Sequence, residues 1–364
     1  MRLATMCTES SDRYKERVDM RTVGTNHSSR LRPKGWSIAT RYLAYLTIAL
    51  FSIGSEAQVA RPHLPSRVAT PPAALISAAE SGDAAASLKL ANGFYNGRFS
   101  RRDYASAVKW YARASAAGNN EAKARLGLCY LFGRGVSVDT ARGAALINQA
   151  AASNDRVALR VAGVMYQHGR GVPQDYVKAA SLFSNAVAHG DVNSLDRLGT
   201  LYVQGRGVPR DTTKALQLFK QGAQSGDGWA KFHLARMYQQ GIAIPQDNQL
   251  ALSLLLESAD QGNRAAQYAA GRAYMFGIGA AKSRSTALYY YRLSASHGYT
   301  PAQRVLGMLN ERKGAEQNLV YAYAWYALAA SRGDKFANQR LVVVRGKLTA
   351  DNVSAATALV AKFR

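Results

Sequence analysis

The fold is decided by the stretch Tyr166-Gln167-His168-Gly169-Arg170-Gly171-Val172-Pro173-Gln174-Asp175, whose pattern recurs along the chain at a constant interval. The pattern also stands 36 residues earlier, from Tyr130 to Asp139, and 36 residues later, from Tyr202 to Asp211. A repeat of this length is the sequence signature of a solenoid. The chain is therefore predicted to be an array of similar units.

Columns taken at the same interval confirm the register. A small-residue column reads Ala86, Ala122, Ala158, Ser194, Ala230, Ala266 and Ala302, and a loop column reads Gly97, Gly133, Gly169, Gly205, Gly241 and Gly277. A terminating column reads Gly118, Asn154, Gly190, Gly226, Gly262 and Gly298. Apart from glycine, Asn tolerates a left-handed backbone best, so this column predicts helix ends.

Each period contains two helices. In the fourth unit Leu195, Leu198 and Leu201 recur at helical spacing, and the first helix ends at Gly205. Asp211 then stands in position to cap the second helix. Because such a pair cannot bury its apolar side chains alone, neighbouring pairs must stack. The predicted fold is all-α: an α/α superhelical solenoid of about seven helix-turn-helix repeats over residues 73–345, closed by a capping helix over 346–364.

The repeats resemble the Sel-one-like repeat family, relatives of the tetratricopeptide repeats. In the third unit the family's marked positions hold Ala158, Gly163, Tyr166, Gly169, Gly171, Val172, Asp175, Lys178, Ala179, Ala186 and Gly190. The resemblance covers residues 73–340 and implies a tetratricopeptide-like scaffold for protein interactions. The matching residues occupy packing, turn and cap positions, so they indicate a fold and almost no chemistry.

Residues 1–57 are predicted to form a signal peptide with a polar preamble. Basic residues precede an apolar segment over 42–53, and Ala57 ends a small-x-Ala cleavage site. The apolar segment is short for a membrane-spanning helix. Cleavage after Ala57 would give a periplasmic or secreted protein, and the alternative is an N-terminal anchor in the inner membrane. Residues 58–72 are a Pro-rich linker, and translation from Met20 would leave a leader of more usual form.

The charge balance favours acidic partners. The formal net charge is +24, and residues 1–57 contribute only +4 of it, from nine Lys or Arg and five Asp or Glu. A basic surface of this size attracts acidic polysaccharide, phospholipid headgroups, lipopolysaccharide or nucleic acid. Export argues against nucleic acid and favours an acidic polysaccharide or a membrane surface. The alternative is a basic protein with no dedicated polyanion partner.

One part of this charge follows the repeat. The loop column reads Arg98, Arg134, Arg170 and Arg206 before it changes to Ile242 and Ile278. These arginines are expected to form a row along one edge, spaced by about 10 Å, the distance between packed helices. The row is our candidate site for an acidic polymer, and the alternative is a solvent-exposed column that tolerates any residue.

The first helices supply a second candidate surface. By analogy with tetratricopeptide arrays, the helix face beside the buried one lines the concave side of the solenoid. This face carries Arg125, Phe132, His168, Arg197, Gln204, His233, Arg236, Arg272 and Phe276. Basic and aromatic groups in a groove suit a peptide or a sugar polymer. The alternative is that some of these side chains pack against adjoining helices.

Catalytic and metal-binding patterns are weak. The histidines are scattered, which argues against a metal cluster. Ser106 and Lys109 match the Ser-x-x-Lys word of penicillin-recognising enzymes, but neither Ser-Asp-Asn nor Lys-Thr-Gly occurs in the chain. Cys129 is the single cysteine after the leader, and its column predicts a buried apolar position. We therefore expect no catalytic residue, no metal and no cofactor.

These observations favour an exported, non-catalytic interaction scaffold of the bacterial envelope with envelope proteins as partners. The family resemblance implies a role in the assembly, secretion or regulation of an exopolysaccharide. The alternative function is a secreted hydrolase of the beta-lactamase type or a host-directed virulence factor.

Export can be tested at the N-terminus. If residues 1–57 are a leader, the mature protein begins at Gln58, because signal peptidase cuts after the small-x-Ala site. Mass spectrometry of the protein from an envelope fraction should give Gln58 as the first residue. Peptides from residues 41–57 in the same protein would instead identify a membrane anchor.

Overall fold

A computed structural model describes residues 70–99, 102–314 and 317–363, and every regular element in these ranges is helical. The all-α class predicted from the repeat is confirmed. The predicted signal peptide, and the linker up to residue 69, lie outside the described residues.

Seven helix pairs follow one another and are numbered here as repeats 1 to 7. Their first helices are Ala84–Asn96, Asn120–Phe132, Arg156–His168, Leu195–Gln204, Gly228–Gln240, Arg264–Phe276 and Thr300–Glu311. Their second helices are Tyr104–Ala116, Thr140–Ala151, Tyr176–Ala188, Thr212–Gln224, Asn248–Asp260, Arg284–Ser296 and Leu319–Ala330. A short 3₁₀ turn, Val192–Ser194, precedes the first helix of repeat 4.

The ends of these helices follow from the glycine and aspartate columns. In repeat 3 the first helix ends at Gly169, which is left-handed with φ 64°. The Asp175 carboxylate then accepts a hydrogen bond of 2.9 Å from the backbone N–H of Lys178 and caps the second helix. Asn154, the exception in the terminating column, is also left-handed with φ 55°, as its column predicts.

Packing between helices uses the column of small residues. A Cβ atom on Gly163 would lie 2.6 Å from the ring of Phe183, and one on Gly199 would lie 2.6 Å from the ring of Phe219. Both rings are almost completely buried. Each second helix packs against the first helix of its own repeat and against the first helix of the next repeat. The apolar core is therefore continuous from repeat to repeat, as expected of a solenoid.

Additional helices cover both ends of the array. The helix Ala73–Glu80 packs on the first helix of repeat 1, and Lys335–Arg345 packs on the second helix of repeat 7. The predicted capping helix is present as Ala350–Phe363. It packs against the second helix of repeat 7, where the rings of Trp325 and Phe363 stack with centroids 4.5 Å apart.

The loop between the two helices of a repeat also contacts the preceding repeat. Gly207 is left-handed with φ 72°, and a Cβ atom there would overlap the carbonyl oxygen of Tyr176. In repeat 5 the same column holds Ala243, which is left-handed with φ 58°. A non-glycine residue in this conformation is strained by about 1–2 kcal/mol. Repeat 5 therefore contains a local strain that the equivalent glycines avoid.

Two opposite substitutions test this difference. Ala243→Gly is expected to raise the free energy of unfolding by about 0.5–1 kcal/mol, since the relieved strain exceeds the added entropy of the unfolded chain. Gly207→Ala is expected to lower it by more than about 1 kcal/mol, because the Cβ adds both backbone strain and an overlap. Urea unfolding followed by circular dichroism measures both changes. An unchanged or lower midpoint for Ala243→Gly would show that the loop is not strained.

Candidate functional site

The first helices carry the residues that the sequence predicts for the concave side. Successive first helices contact each other directly in repeats 2 and 3 and in repeats 4 and 5, and the helix of repeat 7 contacts Lys335–Arg345. No comparable contact joins consecutive second helices of repeats 1–7 within the described residues. The side on which helices approach most closely has the smaller radius, so these contacts favour the first helices as the concave surface that the sequence predicts.

The predicted groove residues differ in how far they reach solvent. The exposed members are Phe132, His168, Gln204, Arg236, Arg272 and Phe276, and the partly buried members are Arg125, Arg197 and His233. Phe276 is 59% exposed, so more than half of its surface is open to a partner. The concave surface is therefore partly apolar as well as basic.

Arg125 is occupied within its own helix. Its guanidinium lies 2.7 Å from the carboxylate of Glu121, one helical turn earlier, in the i,i+4 geometry that stabilises helices. The side chain is 32% exposed. The charge of Arg125 is therefore compensated by a neighbour on its own helix.

His233 belongs to an aromatic cluster. Its ring stacks on Phe219 of the preceding repeat, with centroids 5.0 Å apart, and contacts the rings of Phe232 and Trp229. Burial, and secondarily the charge of Arg236, lowers the pKa of His233 to about 4, so the ring is neutral at pH 7. Trp229 covers one side of the cluster and is 47% exposed. Sequence reasoning missed Trp229, although it stands one helical turn before His233.

Three arginines continue the surface beyond this cluster. Arg197, Arg236 and Arg272 lie on the first helices of repeats 4, 5 and 6, and none forms an ion pair with a carboxylate in the described part of the chain. The charges of Arg236 and Arg272 remain available to a ligand, whereas part of the Arg197 charge acts on the adjacent Asp196 carboxylate. The concave surface of repeats 4–6 thus combines uncompensated guanidinium groups with the exposed rings of Trp229 and Phe276.

The second candidate site, the arginine row, lies at the ends of the first helices. Arg98, Arg134, Arg170 and Arg206 are all exposed. Phe132, which we had assigned to the groove, lies between two members of this row: its ring centroid is 5.2 Å from the guanidinium carbon of Arg134 and 4.6 Å from that of Arg170. The structure therefore brings Phe132 together with the row.

A comparison with known protein families finds the same seven repeats. The profile of the Sel1 repeat matches residues 84–119, 120–155, 157–191, 192–227, 230–263, 264–299 and 300–334, one match for each repeat described above. The chain belongs to the Sel1 repeat family. No curated protein matches the chain.

Solved Sel1 repeat structures are similar to this chain. A protective antigen with an SLR fold, present in uropathogenic Escherichia coli strains, is 34% identical; the match covers 78% of this chain and 63% of the antigen, with a TM-score of 0.49. A Sel1 repeat protein from Oxalobacter formigenes is 30% identical over 59% of this chain and 88% of its own, with a TM-score of 0.53. The chain thus spans less than two thirds of the antigen's length.

The other candidate residues from the sequence, Ser106, Lys109 and Cys129, form no recognisable catalytic or metal site among the residues that the structure describes. The Ser106 hydroxyl donates a hydrogen bond of 2.6 Å to Asp103 at the start of its helix, and Lys109 is exposed one turn later. No group of three or more His, Cys, Asp or Glu side chains is placed to hold a metal ion within the described ranges. None of the helices described there is long and apolar enough to cross a membrane. Cys129 is completely buried, as its column predicts.

Sequence reasoning also missed Asp196, a carboxylate in the first turn of the first helix of repeat 4. Burial raises the pKa of Asp196 from its ordinary value of 3.8 to about 6, although the adjacent Arg197 acts in the opposite direction. The sequence shows an acidic residue in the first turn of a helix, where carboxylates are usually stabilised. Only its burial against neighbouring repeats reverses the direction of the pKa shift.

Replacing Asp196 with Asn tests this burial. Because the pKa is higher in the folded than in the unfolded protein, ionisation opposes folding, and wild-type stability falls as the pH rises from about 4 to about 6. Asp196→Asn removes that loss. The variant should be more stable than the wild type at pH 8, by up to about 3 kcal/mol, with a much smaller difference at pH 4. Urea unfolding at the two pH values measures the change, and a pH-independent difference would contradict the burial.

Proposed function

We propose that this Sel1 repeat protein is a non-catalytic scaffold of the bacterial envelope that binds partner proteins on its concave surface. The observation that carries the proposal is a set of arginines on the concave side of repeats 4–6, next to the exposed ring of Trp229, that form no ion pair within the described ranges. Trp and Arg are the residue types that most often dominate binding at protein interfaces.

The chemistry of the surface indicates the kind of partner. Arg197, Arg236 and Arg272 attract carboxylates, and a guanidinium can bind a carboxylate through two parallel hydrogen bonds. Trp229 and Phe276 offer apolar area that a partner can cover. A partner segment that carries Asp or Glu beside a large apolar side chain would complement both features.

The envelope location rests on other observations. The segment over 1–57 has the order of a signal peptide, and the remaining chain keeps a net charge of +20, which attracts polyanions. These features support a scaffold in the assembly, secretion or regulation of an exopolysaccharide, with the acidic polysaccharide as an additional partner. Membrane-surface association is also consistent with this charge.

The concave surface can be tested against a matched outer surface. The triple variant Arg197→Glu, Arg236→Glu, Arg272→Glu reverses charge on the first helices. The control, Lys109→Glu, Lys220→Glu, Arg292→Glu, makes the same charge change at exposed positions of second helices. Crosslinking in the native envelope followed by quantitative mass spectrometry should show at least about a tenfold loss of partners for the concave variant alone.

Two outcomes would contradict the proposal. Equal partner losses from the two triple variants would mean that net charge, rather than the concave surface, decides binding. Unchanged partners in the concave variant would place the interface elsewhere. The exopolysaccharide role is measured in the same strains: secreted polysaccharide should fall with the concave variant and stay unchanged with the control.

A further inference from the structure

The loop edge is the surface of the solenoid that contains Arg134, Arg170 and Arg206 of the arginine row. We define it as residues 132–142, 168–178 and 204–214, where the first helices of repeats 2, 3 and 4 end and the second helices begin. These segments contain seven Lys or Arg and three Asp. The surface borders the concave side: burial lowers the pKa of His168 at its edge, and the charges of Arg170 and Arg197 both lie close enough to lower it further.

Aromatic rings hold the arginines of the loop edge in place. Arg134 and Arg170 share the ring of Phe132, so their guanidinium carbons lie within about 10 Å of each other by the two distances given above, which is also the spacing of packed helices. Arg134 also lies over the rings of Tyr95 and Tyr104, and hydrogen-bonds the Tyr95 hydroxyl. Such cation–π contacts orient a guanidinium without neutralising it.

Contacts between cations and aromatic rings also occur in repeat 4 and at the starts of the second helices. Arg206 lies 5.3 Å from the ring centroid of Tyr176 and donates a hydrogen bond of 3.3 Å to its hydroxyl. Three further cations lie over tyrosine rings in the same segments: Arg142 over Tyr130, Lys178 over Tyr166 and Lys214 over Tyr202. A cation therefore covers a ring in each of the three repeats.

The aspartates of the loop edge do not pair with these cations. Asp139, Asp175 and Asp211 each accept a backbone N–H at the start of a second helix, at 2.8–2.9 Å. The positive end of the helix dipole offsets part of their charge. None of the loop-edge cations forms an ion pair with a carboxylate in the ranges that the structure describes. The edge is left with a net positive charge.

Exposed apolar side chains stand among these charges. Val138 is 63% exposed and Val177 is 67% exposed, and both lie where second helices begin. Phe132, between its two arginines, is 39% exposed. The edge therefore offers apolar groups and cations to the same neighbour.

We propose that the loop edge binds the surface of an anionic phospholipid membrane. Lys and Arg near such a surface each contribute about 1 kcal/mol, and apolar side chains that enter the interface strengthen the attachment. An acidic polysaccharide would use the cations but would gain nothing from the exposed valines. The combination of valines with ring-held arginines therefore favours lipid.

Vesicle binding tests the proposal with the full-length chain. Two affinities are measured: one for vesicles of equal parts phosphatidylcholine and phosphatidylglycerol, and one for pure phosphatidylcholine vesicles. The first is divided by the second. Because an apolar N-terminal segment would contribute to both affinities, the ratio cancels its contribution. The variant Arg134→Gln, Arg170→Gln, Arg206→Gln should lower this ratio by about a hundredfold, at about 1 kcal/mol for each arginine. Circular dichroism checks that helicity is retained.

Matched variants separate lipid binding from net charge. Lys109→Gln, Lys220→Gln, Arg292→Gln removes the same charge from the second helices and should change the ratio less than about threefold, because salt screens charges beyond about 10 Å. Val138→Ser, Val177→Ser keeps every charge and should weaken binding to the anionic vesicles by about tenfold, through lost apolar burial.

Two results would overturn the membrane proposal. Equal losses from the two triple variants would show that only net charge attracts the vesicles. If the valine pair leaves vesicle binding unchanged while the Arg134, Arg170 and Arg206 variant loses binding to dissolved alginate, the loop edge is a site for acidic polysaccharide instead.

Discussion

The contact between the second helix of one repeat and the first helix of the next is the constraint on which the rest of the structure depends. A pair of short helices leaves one apolar face uncovered, and only stacking covers it. Across this contact the buried ring of Phe219 stacks on His233 of the next repeat, and a Cβ atom on Gly222 would lie 2.6 Å from Ala230. Because each repeat completes the core of its neighbour, the array needs the additional helices at its two ends.

Stacking also determines which side chains are left for binding. The core uses the columns that face neighbouring helices, so most side chains of the concave surface and the loop edge reach solvent, although His233 and Gly207 also contact adjacent repeats. Arg197 and Arg236 stand at positions where repeat 3 has Val161 and Val164. A valine satisfies the fold there, so the arginines are not required by the core. Charges that packing does not need are the natural candidates for recognition.

Much of the fold could be predicted from columns of single residues. Glycine or asparagine was expected at left-handed positions, and Asn154 is left-handed. The candidate surfaces were harder to predict, because their residues interact across repeats. Phe132 was assigned to the groove, yet it lies between Arg134 and Arg170. Its two neighbours come from different repeats, and a 36-residue column contains no information about which residues of adjacent units meet.

The sequence by itself determined the helix pairs, their period, their caps and the family, because these depend on local backbone preferences and on apolar spacing within one unit. Only the tertiary structure decided the environment of each exposed group. It stacked His233 on Phe219, raised the pKa of Asp196 and gathered valines among ring-held cations on the loop edge. Burial, ring contacts and pKa shifts depend on side chains from neighbouring repeats, whose relative positions are fixed only when the helices stack.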